Sequence, residues 1–223
     1  NLQREHPTSP VPFALEGEIQ LLGENLELAY SGYRQAVSLG PYKSHVLRLY
    51  QIGRDLGRSN PEQSLLVYLE ERPLDSEIRM LLAQYYDSNG ERLRAIGEYE
   101  IVSRNDPENA VVLNNLAWNY YLEGDSRAVA TAEKALALMP DNASVLDTAG
   151  WVEVQMGSVE KGESLLRRAV EESDGRSEIR YHHAAALAKL GNATEAKLAL
   201  EDLLGSGEEF ASRSEAEKLL GEL

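Results

Sequence analysis

The chain has no cysteine, only two phenylalanines and two tryptophans in 223 residues, and no apolar run approaching the roughly 18 residues a membrane span needs. Without thiols there is neither a disulfide framework nor a thiolate metal site, and cysteine usage carries no information about compartment. Val and Ile nowhere cluster into alternating runs, which leaves little material for sheets. Basic residues are in deficit as well. The 22 Lys and Arg against 37 Asp and Glu give a formal charge of −15, which repels phosphate backbones, and no Lys/Arg stripe offsets it. Nucleic acid is therefore not expected as a partner, and the surplus of acids reads either as the solubility of an elongated surface or as attraction for a basic partner. The chain begins without Met and without a signal-peptide pattern, and so reads as a mature or trimmed product. No phosphate loop, nucleophile elbow or supported pair of catalytic carboxylates is present, so no catalytic residue, cofactor or metal is assigned.

What the sequence does have is self-similarity. Gly90, Gly124, Gly157 and Gly191 follow one another at intervals of 34, 33 and 34 residues. Small residues Ala83, Ala117, Gly150 and Ala184 keep the same intervals seven residues earlier, and Ala95, Ala128, Gly162 and Ala196 follow four or five residues after the glycines. Three series in register predict a repeated helix–turn–helix. In the fourth unit Leu113, Leu116, Ala117 and Tyr120 recur at helical spacing and share one face. Gly124 ends that helix, Ala128, Ala132, Ala135 and Leu136 mark the second, and Pro140 stops it. The small residues let two helix axes approach toward the lower end of the usual spacing of about 8–10 Å.

Prolines carry the period toward the N-terminus: Pro41, Pro73, Pro107 and Pro140 stand 32, 34 and 33 residues apart, with Asp174 in the next place. Ala29, Tyr33 and Ala36 complete a second-helix pattern ahead of Pro41. The expectation is an all-α, right-handed superhelical solenoid of about six repeats, over residues 10–43, 44–75, 76–109, 110–142, 143–176 and 177–209. A polar leader precedes it at 1–9, and a capping helix at 212–223 covers its last repeat. The second repeat is the most degenerate, and Ser59-Asn60-Pro61 predicts a cap and a first-turn proline that start its second helix late. No linker longer than a turn divides the units, and one repeat alone buries too little apolar surface, so 10–223 reads as one cooperative domain.

A small residue at the eighth place, Gly at the fifteenth, Ala at the twentieth and twenty-seventh and Pro at the thirty-second resemble the tetratricopeptide repeat over nearly the whole chain. The last three repeats carry a narrower resemblance. The strings LNNLAW (Leu113–Trp118), LDTAGW (Leu146–Trp151) and EIRYHHAAALAKLG (Glu178–Gly191), followed by Phe210 and a short final helix, resemble the C-terminal part of the PEP-CTERM system repeat lipoproteins of bacteria. That resemblance implies a scaffold near exosortase and exopolysaccharide export, in the periplasm or at the outer membrane. The lipid-modified N-terminal cysteine it also implies is not in this sequence.

In such a superhelix the first helices line the concave face, which places Gln84 and Asp87, then Asn114, Trp118 and Tyr121, then Asp147, Trp151 and Gln155, then Tyr181 and Lys189 along one groove. Its centre is aromatic and amide-rich, and Trp118 and Trp151 stand at the same place one repeat apart. The leading expectation is an extended peptide or protein partner held there. Two others stand beside it: a polysaccharide stacked on the indoles, and a regulatory module of a larger enzyme. Packing opposes all three, because a large ring beside Ala117 or Gly150 also fits as a wedge between helices. Asn115, at the sixth place, reads as structural. A Lys and Asn clamp for a C-terminal carboxylate is excluded, since its places hold Asn114, Trp118 and Ser144.

Adjacent His182 and His183 project about 100° apart on a helix, a poor geometry for a shared metal, and His6 and His45 are remote in sequence. Packing or surface roles are expected of them. The sequons at Asn142 and Asn192 fall at turns, where Asn serves as a helix cap.

Overall fold

A computed structural model describes Arg4 and residues 7–223, and among these it holds thirteen α-helices and no strand. The polar leader over 1–9 and His6 fall largely or wholly outside the described residues. The helices gather into two compact units, one ending at Glu91 and the other spanning Arg92–Leu223, so the division passes through the third repeat.

The first unit holds α1 (Val11–Leu22), α2 (Leu26–Leu39), α3 (Lys43–Asp55), α4 (Gln63–Glu71) and α5 (Ser76–Ser88). The second holds α6 (Arg92–Asn105), α7 (Ala110–Leu122), α8 (Arg127–Leu138), α9 (Ala143–Met156), α10 (Val159–Glu171), α11 (Ser177–Lys189), α12 (Ala193–Gly205) and α13 (Arg213–Glu222). Turns of two to four residues make hairpins of most successive helices. The glycine series ends the first helices because those positions are left-handed: Gly90, Gly124 and Gly191 have φ of 74°, 70° and 81°. Gly57 does the same in the second repeat at φ 63°.

Caps repeat with the helices. Asp75, Asn109 and Asn142 accept from the Ile78, Val112 and Val145 amides at 3.2 Å each, which satisfies otherwise orphaned donors. Asn192 precedes α12 without a side-chain cap bond, so only one of the two sequon asparagines is a cap of that kind. Asp75 is also a hub. Lys43 Nζ lies at 3.0 Å and the Tyr68 hydroxyl donates at 2.9 Å. Burial works to raise the Asp75 pKa, but the Lys43 ammonium, the Ile78 amide and the Tyr68 hydroxyl outweigh it and hold the carboxyl below its ordinary value.

In the fifth repeat the small residues bring backbones together. A Cβ on Gly162 would stand 2.6 Å from the Gly150 carbonyl oxygen and 2.7 Å from the Val154 nitrogen, so α9 and α10 cross at a distance only glycine allows. Gly17 and Gly32 cross α1 and α2 in the same manner, with a Cβ on Gly32 2.9 Å from the Phe13 carbonyl oxygen.

The second repeat departs from its siblings. Tyr50 and Glu62 stand one period before Ala83 and Ala95, in the two places where other repeats have small residues, and are 3% and 8% exposed. The Tyr85 hydroxyl hydrogen-bonds Glu62; burial first, and then that carboxylate, push its pKa up to about 12. The second helix does begin late, though not as its sequence suggests. Glu62 precedes α4 with no side-chain cap bond, and Pro61 is buried against Gly53 instead of opening the first turn.

At the other end of the second unit, Ala216 of α13 packs with Ala184 and Leu200, and Phe210, Leu219 and Leu220 close over them. The last repeat is thereby covered.

Candidate functional site

The first helices α7, α9 and α11 of the second unit lie side by side and bring most of the expected groove residues together. Their centre is a run of rings. Trp118 contacts Tyr121 at 5.5 Å between centroids, and Trp151 contacts Tyr181 at 6.2 Å. The two indoles meet on a ring that sequence reasoning had set aside: His182 stacks on Trp151 at 4.2 Å and 19°, and contacts Trp118 at 6.1 Å. Its Nδ1 lies 2.7 Å from Asp147 Oδ1, and its Nε2 3.9 Å from Glu178 Oε1. Glu178 in turn accepts from the Ser212 amide at 3.2 Å and from the Ser212 hydroxyl, tying the cluster to the residue ahead of α13.

His182 occupies the sixth place of its repeat, like Asn115 and Thr148. Asn115 turns toward the Tyr99 hydroxyl at 3.3 Å and Thr148 is buried, so this place faces the preceding repeat. The usable signal was spacing: His182 follows Asp147 by 35 residues and Trp151 by 31, one repeat adjusted by a step of one or three on the helix face. His183 projects elsewhere, to Glu163 of α10 at 3.1 Å.

Other expected residues flank the rings. Asn114 keeps a buried side-chain oxygen without a hydrogen-bond partner among the described residues. Lys189 Nζ donates to Gln155 Oε1 at 2.8 Å, one repeat apart along the same face. Burial raises the Tyr181 pKa, and the negative charges of Glu215 and Glu178 add to it. Gln84 and Asp87 lie on α5, in the first unit.

Both tryptophans are half-buried. Trp151 packs on the core of Val154, Leu166 and Ala186 and carries His182 on its face. Trp118 is half-buried, with rings on one side and the free oxygen of Asn114 on the preceding turn of its own helix. No set of three or more metal-ligating side chains converges among the described residues, and none of their helices is long and apolar enough to cross a membrane.

No protein-family model matches the sequence, and no curated protein matches it. Solved structures do. A tetratricopeptide repeat protein from Parabacteroides merdae superposes with a TM-score of 0.74 at 16% identity, covering 92% of this chain and 82% of that one. The chain has the tetratricopeptide-repeat fold. PilW, a type IV pilus biogenesis factor, matches with a TM-score of 0.69 at 13% identity over 92% of this chain and 96% of its own. MamA from Desulfovibrio magneticus matches at 0.62 and 16% over 73% and 93%. At these identities the likeness is one of tetratricopeptide architecture alone.

Proposed function

We propose that this chain is a non-catalytic scaffold of the bacterial envelope, in exopolysaccharide or surface-protein export, which holds an extended peptide segment of a partner along α7, α9 and α11. The observation that carries the reading is the arrangement around Trp118. A half-buried indole, the Tyr121 ring and the unpartnered oxygen of Asn114 lie along one helix. An extended peptide supplies what they lack: an apolar side chain to cover the indole. Trp151 and His182 are the floor of the site, pinned by Asp147. The tetratricopeptide architecture supports a binding role, and the strings over Leu113–Trp118, Leu146–Trp151 and Glu178–Gly191 support the envelope setting by their resemblance to the PEP-CTERM system lipoproteins.

The test is capture from bacterial envelope extract with the native chain and Trp118→Ala, both shown to be folded by circular dichroism. A polysaccharide-export or surface-protein-export component retained by the native chain alone is expected. Equal retention by the variant removes the groove from the reading, retention of an oligosaccharide in place of a protein replaces peptide by glycan, and a cytoplasmic partner removes the envelope setting.

A further inference from the structure

We propose that a crevice beside the short helix α4 is a second binding site, for a partner segment that carries one large apolar side chain next to a carboxylate.

The crevice follows from the irregularity of the second repeat. In the other repeats of the glycine series the second helix resumes two or three residues after the glycine: Arg92 after Gly90, Arg127 after Gly124, Val159 after Gly157, Ala193 after Gly191. Here Tyr50 and Glu62 fill the two small-residue places, and α4 begins at Gln63, six residues after Gly57. It has nine residues where the other second helices have twelve to fourteen. About one turn of helix that would have covered α2 and α3 is replaced by the loop through Pro61.

What that turn leaves uncovered is a crevice of about 240 Å³. Val37 and Leu49 form its floor, Tyr30, Pro61 and Val67 its walls, and Arg34 its lip. Gly53 sets the walls: a Cβ there would stand 3.3 Å from Pro61 and 3.4 Å from Tyr30. The space is below the range of about 300–1,000 Å³ for small-molecule and cofactor sites, and suits a single Phe- or Leu-sized side chain.

Charge completes the assignment. The chain carries 37 acids and 22 Lys and Arg, and most of its described arginines are taken up by carboxylates, carbonyls or rings. Arg34 is exposed and makes no ion pair among the described residues. A guanidinium without a counter-charge, at the lip of an apolar crevice on an acidic protein, favours an anion beside the inserted side chain. All the residues of this crevice lie in the first unit, and those of the aromatic groove in the second.

The probes are N-acetylphenylalanine, which joins an aromatic side chain to a carboxylate, and its neutral amide, each titrated into the uniformly ¹⁵N-labelled chain. Saturable amide shifts over Arg34, Val37 and Val67, with a low-millimolar Kd, are expected of the acid. The amide should bind about two- to five-fold more weakly, the range an exposed ion pair provides. Arg34→Glu, an exposed change, should erase that preference, and Val67→Trp should fill the crevice and abolish the shifts. Trp118→Ala should leave both titrations unchanged, which separates this site from the groove. Absence of saturable shifts at the crevice, or shifts confined to other residues, overturns the site. Equal binding of acid and amide, or a preference that survives Arg34→Glu, overturns the anionic class.

Discussion

The fifth repeat and the second are built on one pattern and solve opposite problems. In the fifth, Gly150 and Gly162 let α9 and α10 cross backbone against backbone, and the interface is made of main chain and short aliphatic groups. In the second, Tyr50 and Glu62 hold the equivalent places, the Tyr85 hydroxyl bonds the buried carboxylate while its Oε2 keeps no partner among the described residues, and the second helix is cut short. Small residues at the crossing thus set the spacing and the length of the second helix together. Where they are lost, polar side chains and a crevice take over.

The largest effect should come from putting a methyl group into the fifth-repeat crossing. Gly162→Ala must displace backbone on the facing helix, and a loss of about 3 kcal/mol is expected in urea unfolding followed by indole fluorescence. Both tryptophans lie in the second unit, so the signal reports that unit. Gly97→Ala is the control: a Cβ there meets nothing within 4 Å, and removing a mid-helix glycine should stabilise by about 0.5–1 kcal/mol. Equal tolerance at the two sites would break the comparison.

Next in size are the tryptophans. Trp151→Ala should cost about 2–3 kcal/mol, because it removes packing from the core and the support of His182, while Trp118→Ala should cost about 1 kcal/mol or less. The reverse order would exchange the floor and the contact surface of the site.

A smaller effect is expected in the second repeat, where polar groups do the holding. Asp75→Ala removes a cap and a partner of Lys43, at about 1–2 kcal/mol, read by amide shifts or circular dichroism of the first unit. The folded Asp75 pKa is depressed, so its contribution is fully present above the ordinary carboxylate pKa of about 4 and fades as pH falls through the folded value. Asp75→Asn should flatten that acid limb of the stability profile. Reversal of charge at Lys43 should have a similar shape and smaller size.

The fold was open to sequence reading because its crossings demand small residues and its turns demand left-handed glycine, and both demands recur at a fixed interval. Of the two asparagines read as caps, Asn142 makes the bond and Asn192 does not. Tyr50 and Glu62 were not: they are substitutions inside the periodic pattern, and periodicity reveals only the places that keep it. Gly17, 66 residues before Ala83, was within reach of the same count. The groove residues of α7, α9 and α11 were placed on a common side, but the role of His182 was hidden because its contacts run between repeats. Packing or surface roles were expected of His182 and His183, and their rings turn to different helices.

The His182 ring has one consequence for how the molecule comes apart. A repeat array is commonly treated as a one-dimensional lattice in which each site feels only its two neighbours. Trp118 belongs to the fourth repeat and His182 to the sixth, and their rings touch across the fifth. That contact is a second-neighbour coupling, and it penalises any state in which the middle site melts while the outer two persist. Repeats four to six should therefore exchange their amide protons as one block, with a common opening free energy in place of a gradient from the end.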